Sequence, residues 1–150
     1  VEHNAWDVVA MAAMVGLYGE ASHAQLGVED LVGVARTLRR AGALDRATEV
    51  AEAAVGRDAT PASLRARADI AKARGDRARA LADFEALASA VDDASVRLEL
   101  AKLYEHWVGS PERALAWVER GTSEGEGATL KRKARLARKA ERARSKCGPP

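Results

Sequence analysis

Aromatic side chains are scarce in this chain: Phe84, Tyr18, Tyr104, Trp6, Trp107 and Trp117 are all there are in 150 residues. An interior rich in alanine suits helices packed closely back to back. It argues against a β-sandwich, whose faces need β-branched and aromatic residues. Cysteine is limited to Cys147, so no internal disulfide forms and a reducing, cytoplasmic setting is expected. No stretch approaches the ~18 uncharged apolar residues that span a bilayer, so no membrane partner is expected. The opening residues lack the basic and apolar regions of a signal peptide. Also missing are a Gly-rich phosphate loop, a Ser/His/Asp set and a zinc-type Cys cluster. The first residue is Val1 and not Met, which reads as a processed, trimmed or partial chain.

Charge is nearly balanced in total but not in distribution. Of the 24 basic and 22 acidic residues, nine and one fall within residues 128–150, leaving 15 and 21 in residues 1–127. The body therefore carries −6 and the tail +8. An acidic body with a basic arm suggests a polyanionic partner for the arm.

Three stretches fall on one template. Gly42-Ala43-Leu44-Asp45-Arg46-Ala47, Gly75-Asp76-Arg77-Ala78-Arg79-Ala80 and Gly109-Ser110-Pro111-Glu112-Arg113-Ala114 each place an alanine five residues after a glycine. The glycines stand 33 and then 34 residues apart. A period near ~34 residues with a helix on each side of the glycine marks tetratricopeptide-like hairpins. Such units stack, because none buries its apolar face alone.

The hairpins are expected to pair Glu29–Ala41 with Asp45–Val55, Ala62–Arg74 with Arg77–Ala90, and Ala94–Val108 with Pro111–Arg120. Their facing stripes are Leu31, Val34, Ala35, Leu38 with Val50, Ala51, Ala54, Val55; Leu64, Ala68, Ala71 with Ala80, Leu81, Phe84, Leu87; and Leu98, Ala101, Leu103, Tyr104 with Ala114, Leu115, Trp117, Val118. Leu100 and Trp107 are assigned to the last interface. Thr60, the Gly75-Asp76 pair and Ser110 supply caps and turns. Ala35, Ala68 and Ala101 occupy the eighth position of each repeat, where a small side chain lets two helices approach. One extra residue precedes the third glycine and shifts its register.

The expected architecture is all-α: a short α-solenoid of about three such hairpins (28–121), preceded by a helix (1–20) and followed by a Gly/Ser/Glu linker (122–127) and a basic helix and tail (128–150). The last helix carries Leu130, Ala134, Ala137 and Ala140 on one side. It caps the final repeat, contacts nucleic-acid phosphates, or does both; the contact residues are then Lys131, Arg132, Lys133, Arg135, Arg138, Lys139 and Arg142.

His3 and Asp7 lie four residues apart at the start of the first helix. Taken by themselves, Asn4 caps that helix and Asp7 meets the positive end of its dipole. The pattern His3-Asn4-x-x-Asp7-Val8-Val9, followed by an apolar helix, resembles the last motif of ribonuclease-H-like exonucleases of the DEDD type. In the predicted bacterial members of that family a tetratricopeptide-like tail follows the nuclease domain. Leu100-Ala101-Lys102-Leu103-Tyr104-Glu105-His106, then Pro111-Glu112-Arg113-Ala114-Leu115, also resembles that tail.

The resemblance implies that Asp7 is the last acidic ligand of a divalent metal pair (Mg or Mn) and that His3 orients the attacking water. Both roles need an intact parent domain, since one carboxylate cannot hold two hard cations. The earlier Asp-x-Glu strand motif, the middle aspartate of that superfamily and the sheet that would carry them are absent from these residues. The chain then corresponds to the C-terminal part of a metal-dependent 3′–5′ exonuclease, inactive alone and with no cofactor of its own. The remaining alternative is a free-standing scaffold that binds a protein segment in its groove. The expected partners are a protein segment or the nuclease domain itself, with nucleic acid at the basic tail. His106 reads as a packing residue, and His23 carries no role.

Overall fold

The computed structural model describes Trp6, Val8, Val9, Met11 and residues 26–146. Among these the chain is all-helical, with no strand. Its elements are α1 (Val28–Arg40), α2 (Leu44–Arg57), α3 (Pro61–Arg74), α4 (Arg77–Ala90), α5 (Ala94–Leu103) with a π-helical turn (Tyr104–Val108) running on from it, α6 (Pro111–Glu119) and α7 (Glu126–Lys146). Each helix packs on the next in sequence, and α1 also touches α3. No helix among the described residues is long and apolar enough to cross a membrane.

Local chemistry sets the helix starts. The side chains of Thr60, Asp76 and Asp93 accept from the backbone N–H of Ser63, Arg79 and Ser95, satisfying first-turn donors. Pro61 and Pro111 sit in the first turn, where a missing N–H costs nothing. Ser110 precedes α6 as expected but makes no side-chain cap bond.

The turns between paired helices are set by glycine. Gly42, Gly75 and Gly109 all have positive φ (79°, 83° and 71°), a backbone region that side chains disfavour. In the first two hairpins the residue after the glycine donates back five positions: Ala43 to the Leu38 carbonyl at 3.0 Å, and Asp76 to Ala71 at 2.9 Å. In the third, Ser110 donates back six, to Tyr104, at 2.9 Å. The extra residue of the 34-residue spacing is thus absorbed as the π turn. At Gly75 an added Cβ would meet nothing within 4 Å, so only backbone strain opposes a side chain there. Gly75→Ala is therefore expected to lose about 1–2 kcal/mol, with Gly75→Asn losing less. Equal melting temperatures for wild type and Gly75→Ala would refute a strained turn.

The core divides into two clusters that share α3. Leu31, Val32, Ala35, Leu38, Ala47, Val50, Ala51 and Ala54 gather with Ala66 and Ile70; Ala68 and Ala71 join Ala80, Phe84, Leu87, Val96, Leu100, Ala101, Leu103, Tyr104, Ala114, Val118 and Leu136. The six repeat alanines (Ala35, Ala68, Ala101, Ala47, Ala80, Ala114) are all fully buried. A larger side chain at any of them would push paired helices apart.

Three assignments from the sequence need correction. Trp107 lies outside the third interface and is 40% exposed. Leu130 does not cover the last repeat but is 60% exposed; Leu136 and Ala140 are buried in its place. The stretch after Gly121 is not a loose linker: the Ser123 N–H donates to the Ala94 carbonyl, Arg97 donates to the Gly121 carbonyl and also binds Asp92, and Glu124 binds Arg132.

Candidate functional site

One cluster of buried and half-buried polar groups forms where the π turn meets α7. Glu105 leaves the turn with a fully buried side chain. Arg135 grips its carboxylate with two bonds, Nε to Oε1 and Nη2 to Oε2, both at 2.8 Å. Lys139 Nζ donates to Oε1 at 2.7 Å and Arg132 Nη1 to Oε2 at 3.2 Å. Arg132 also holds Glu124 through two bonds of 2.8 and 2.6 Å. Positions 132, 135 and 139 form one stripe of a helix, so a single rotation of α7 aims all three cations at the turn. Burial pushes the Glu105 carboxyl up, but the hydrogen bonds from Arg135 and Lys139 outweigh it and hold the group at about 2. Glu124 is lowered mainly by its bond from Arg132.

Seven cations of this helix are the phosphate-contact residues expected from sequence, and the structure divides them. Arg132, Arg135 and Lys139 are tied to carboxylates. Lys131, Lys133, Arg138 and Arg142 make no ion pair among the described residues, and Arg138 donates only to the Ala134 carbonyl. A cavity of about 300 Å³ opens beside Lys139 and Arg142, lined also by Glu105, Gly109, Pro111 and Ala143.

On another face, Lys72 of α3, Arg77 of α4 and Glu99, Lys102, Leu103, His106 and Trp107 of α5 and its π turn line a groove of about 340 Å³. Glu99 is bridged by Lys72 Nζ at 2.6 Å and Lys102 Nζ at 2.9 Å. Burial raises its carboxyl, yet these two ammonium groups bring it below its ordinary value. Arg77 lines the same groove, so it holds three cations and one acid. His106 is not a packing residue; its side chain is 62% exposed, with Nε2 at 3.5 Å from Glu105.

Tyr104 belongs to the core. Its hydroxyl donates to Glu85, and the Arg113 guanidinium lies 4.2 Å above its ring. Burial and the Glu85 carboxylate push the phenol up to about 12, which leaves it a neutral anchor at working pH.

His3, Asp7 and His23 lie outside the described residues. Near the first two, Trp6, Val8, Val9 and Met11 are helical and between 54% and 72% exposed. At 100° per residue these four point to different sides of a helix, so apolar surface faces outward around it. Among the described residues no three His, Cys, Asp or Glu side chains converge to hold a metal ion. Comparison with protein-family models gives no match, and none of the curated proteins matches significantly.

Sequence reasoning gave Glu105 no role, because the cations that hold it lie about 30 residues further along the chain. Two signals bear on it: the 34-residue spacing of the third repeat, and the basic stripe at 132, 135 and 139 without a carboxylate of its own.

Proposed function

We propose that this chain is a tetratricopeptide-like helical-repeat scaffold without catalytic work of its own. It forms the C-terminal part of a ribonuclease-H-like exonuclease-type protein, where it supports the nuclease domain and holds a partner segment. The observation carrying the scaffold reading is the groove between α3 and α5: Lys72, Arg77 and Lys102 around an exposed Trp107. That lining suits an acidic segment with an apolar anchor, since charge selects the partner and the indole supplies area.

Support for the nuclease connection is the apolar helix ahead of the repeats. Trp6, Val8, Val9 and Met11 face outward beside the His3–Asp7 motif, and a helix apolar on several sides is normally covered by a neighbouring fold. The basic α7 gives the scaffold a second face, suited to the nucleic acid on which such a nuclease acts.

The groove is tested with a fluorescein-labelled peptide of glutamates flanking one leucine. The peptide should bind the full chain, and Trp107→Ala together with Lys102→Gln should weaken it at least tenfold. Binding indifferent to both changes would remove the groove from the proposal. The nuclease connection is tested by translating the gene upstream of Val1. An in-frame Asp-x-Glu strand motif, with Mg- or Mn-dependent hydrolysis by that longer protein lost in Asp7→Asn, supports it. A start codon directly before Val1 leaves the free-standing scaffold.

A further inference from the structure

We infer that α7 binds the nucleic-acid backbone through one row of cations, Lys131, Arg138 and Arg142, while its other row is committed to Glu105 and Glu124. The inference rests on reading α7 as the scaffold's nucleic-acid face, and it names the part of that face that makes the contact.

The helix geometry defines the row. At 100° per residue, positions 138 and 142 fall within about 20° of position 131 on either side, and the three span about 16 Å along the axis. All three side chains are solvent-exposed and none is paired with a carboxylate among the described residues. The neighbouring row at 132, 135 and 139 is paired with Glu105 and Glu124, which offset two of its three charges. A phosphate competing for it would have to displace a buried bidentate carboxylate. Lys133 and Arg144 lie on the far flank, about 140–160° from the row centre, and cannot follow the same strand. One duplex strand carries a charge every 3.4 Å or so of axis, so about 16 Å offers enough phosphates for three cations.

A lipid surface fits less well. Leu136 and Ala140 of α7 are already buried in the array, which leaves Leu130 as its one exposed large apolar side chain, whereas an interfacial helix needs a continuous apolar face to insert. With no aromatic side chain in the row, base stacking and sequence preference are not expected.

The test is fluorescence anisotropy of the full chain with a labelled mixed-sequence DNA duplex over a range of KCl concentrations. Three neutralised phosphates give a slope of log K against log[KCl] of about −3, whereas all seven cations would give about −6. The triple variant Lys131→Gln, Arg138→Gln, Arg142→Gln should bring the slope close to zero with an unchanged melting temperature. A slope near −6 that falls only to about −4 in the triple variant would overturn the row and leave the nucleic-acid reading standing. Absence of DNA binding at the lowest salt would overturn both, as would binding to phosphatidylserine vesicles in place of DNA.

Discussion

Glu105→Ala is expected to release α7 from the helical array and to lower stability by about 3 kcal/mol at neutral pH. Breaking a buried ion pair from one side costs about 3–5 kcal/mol, because the partner charges lose their compensation. Here the partners soften the loss: the Arg135 and Lys139 side chains are 44% and 45% exposed and can turn to water. The lower end of the range therefore applies. The titration of the acid gives the same size, since its folded value of about 2 lies below the ordinary 4.5, and each unit is worth about 1.4 kcal/mol. The sign follows from linkage. A carboxyl depressed in the folded state contributes fully above about 4.5 and loses its contribution as pH falls toward 2. Urea melts of wild type and variant should differ at pH 7 and converge as pH approaches 2, with amide protection at Leu136 and Ala140 lost first in the variant. Parallel acid curves separated by a constant gap would show that Glu105 does not hold α7.

That carboxylate also marks the limit of what the sequence reveals. Helices and turns were legible because their determinants are local. Glycine after a helical run, with alanine five residues later, located three turns that the structure places at positive φ, and the Arg77–Ala90 helix was bounded to the residue. The repeat alanines were legible for a similar reason, since only a small side chain fits where paired helices approach most closely. The extra residue before Gly109 was visible as a spacing, but not its outcome. A π turn is a slip in hydrogen-bond register and leaves no signature in residue type. Inserting one residue rotates the rest of the helix by about 100°, which accounts for Trp107 facing outward where an uninterrupted helix was expected to turn it in.

The face of α7 was misjudged because two apolar stripes were available. Leu130 with Ala134, Ala137 and Ala140 competes with Leu136 and Ala140, and hydrophobicity separates them poorly. Pairing with Glu105, about 30 residues earlier in sequence, favours the second. For the same reason the summed tail charge overstates what solvent meets, because acids counted in the body neutralise part of the helix. Of the site residues expected from sequence, Arg132, Arg135 and Lys139 are paired with carboxylates, whereas Lys131, Arg138 and Arg142 keep the exposure their proposed role needs.

Phe84→Ala is expected to produce the largest loss of stability in the chain, about 3–5 kcal/mol. Phe84 is the sole phenylalanine, is fully buried, and lies in the cluster joining α3 to α7. Few neighbours can collapse into the space it would leave. Ala68, Ala71, Ala80 and Ala101 in that cluster are short and fixed on helices, so the cavity stays largely open. Against a typical domain stability of about 5–15 kcal/mol this is a large fraction. The loss should not spread evenly. Leu31, Ala35, Val50 and Ala54 belong to the other cluster, and each helix packs mainly on its neighbours in sequence. Amide exchange should therefore accelerate most in α4, α5 and α6, less in α3, which keeps Ala66 and Ile70 against the first hairpin, and least in α1 and α2. An equal acceleration from α1 to α6 would mean that the chain opens as one cooperative unit, and the division of its core into two clusters would have no energetic meaning.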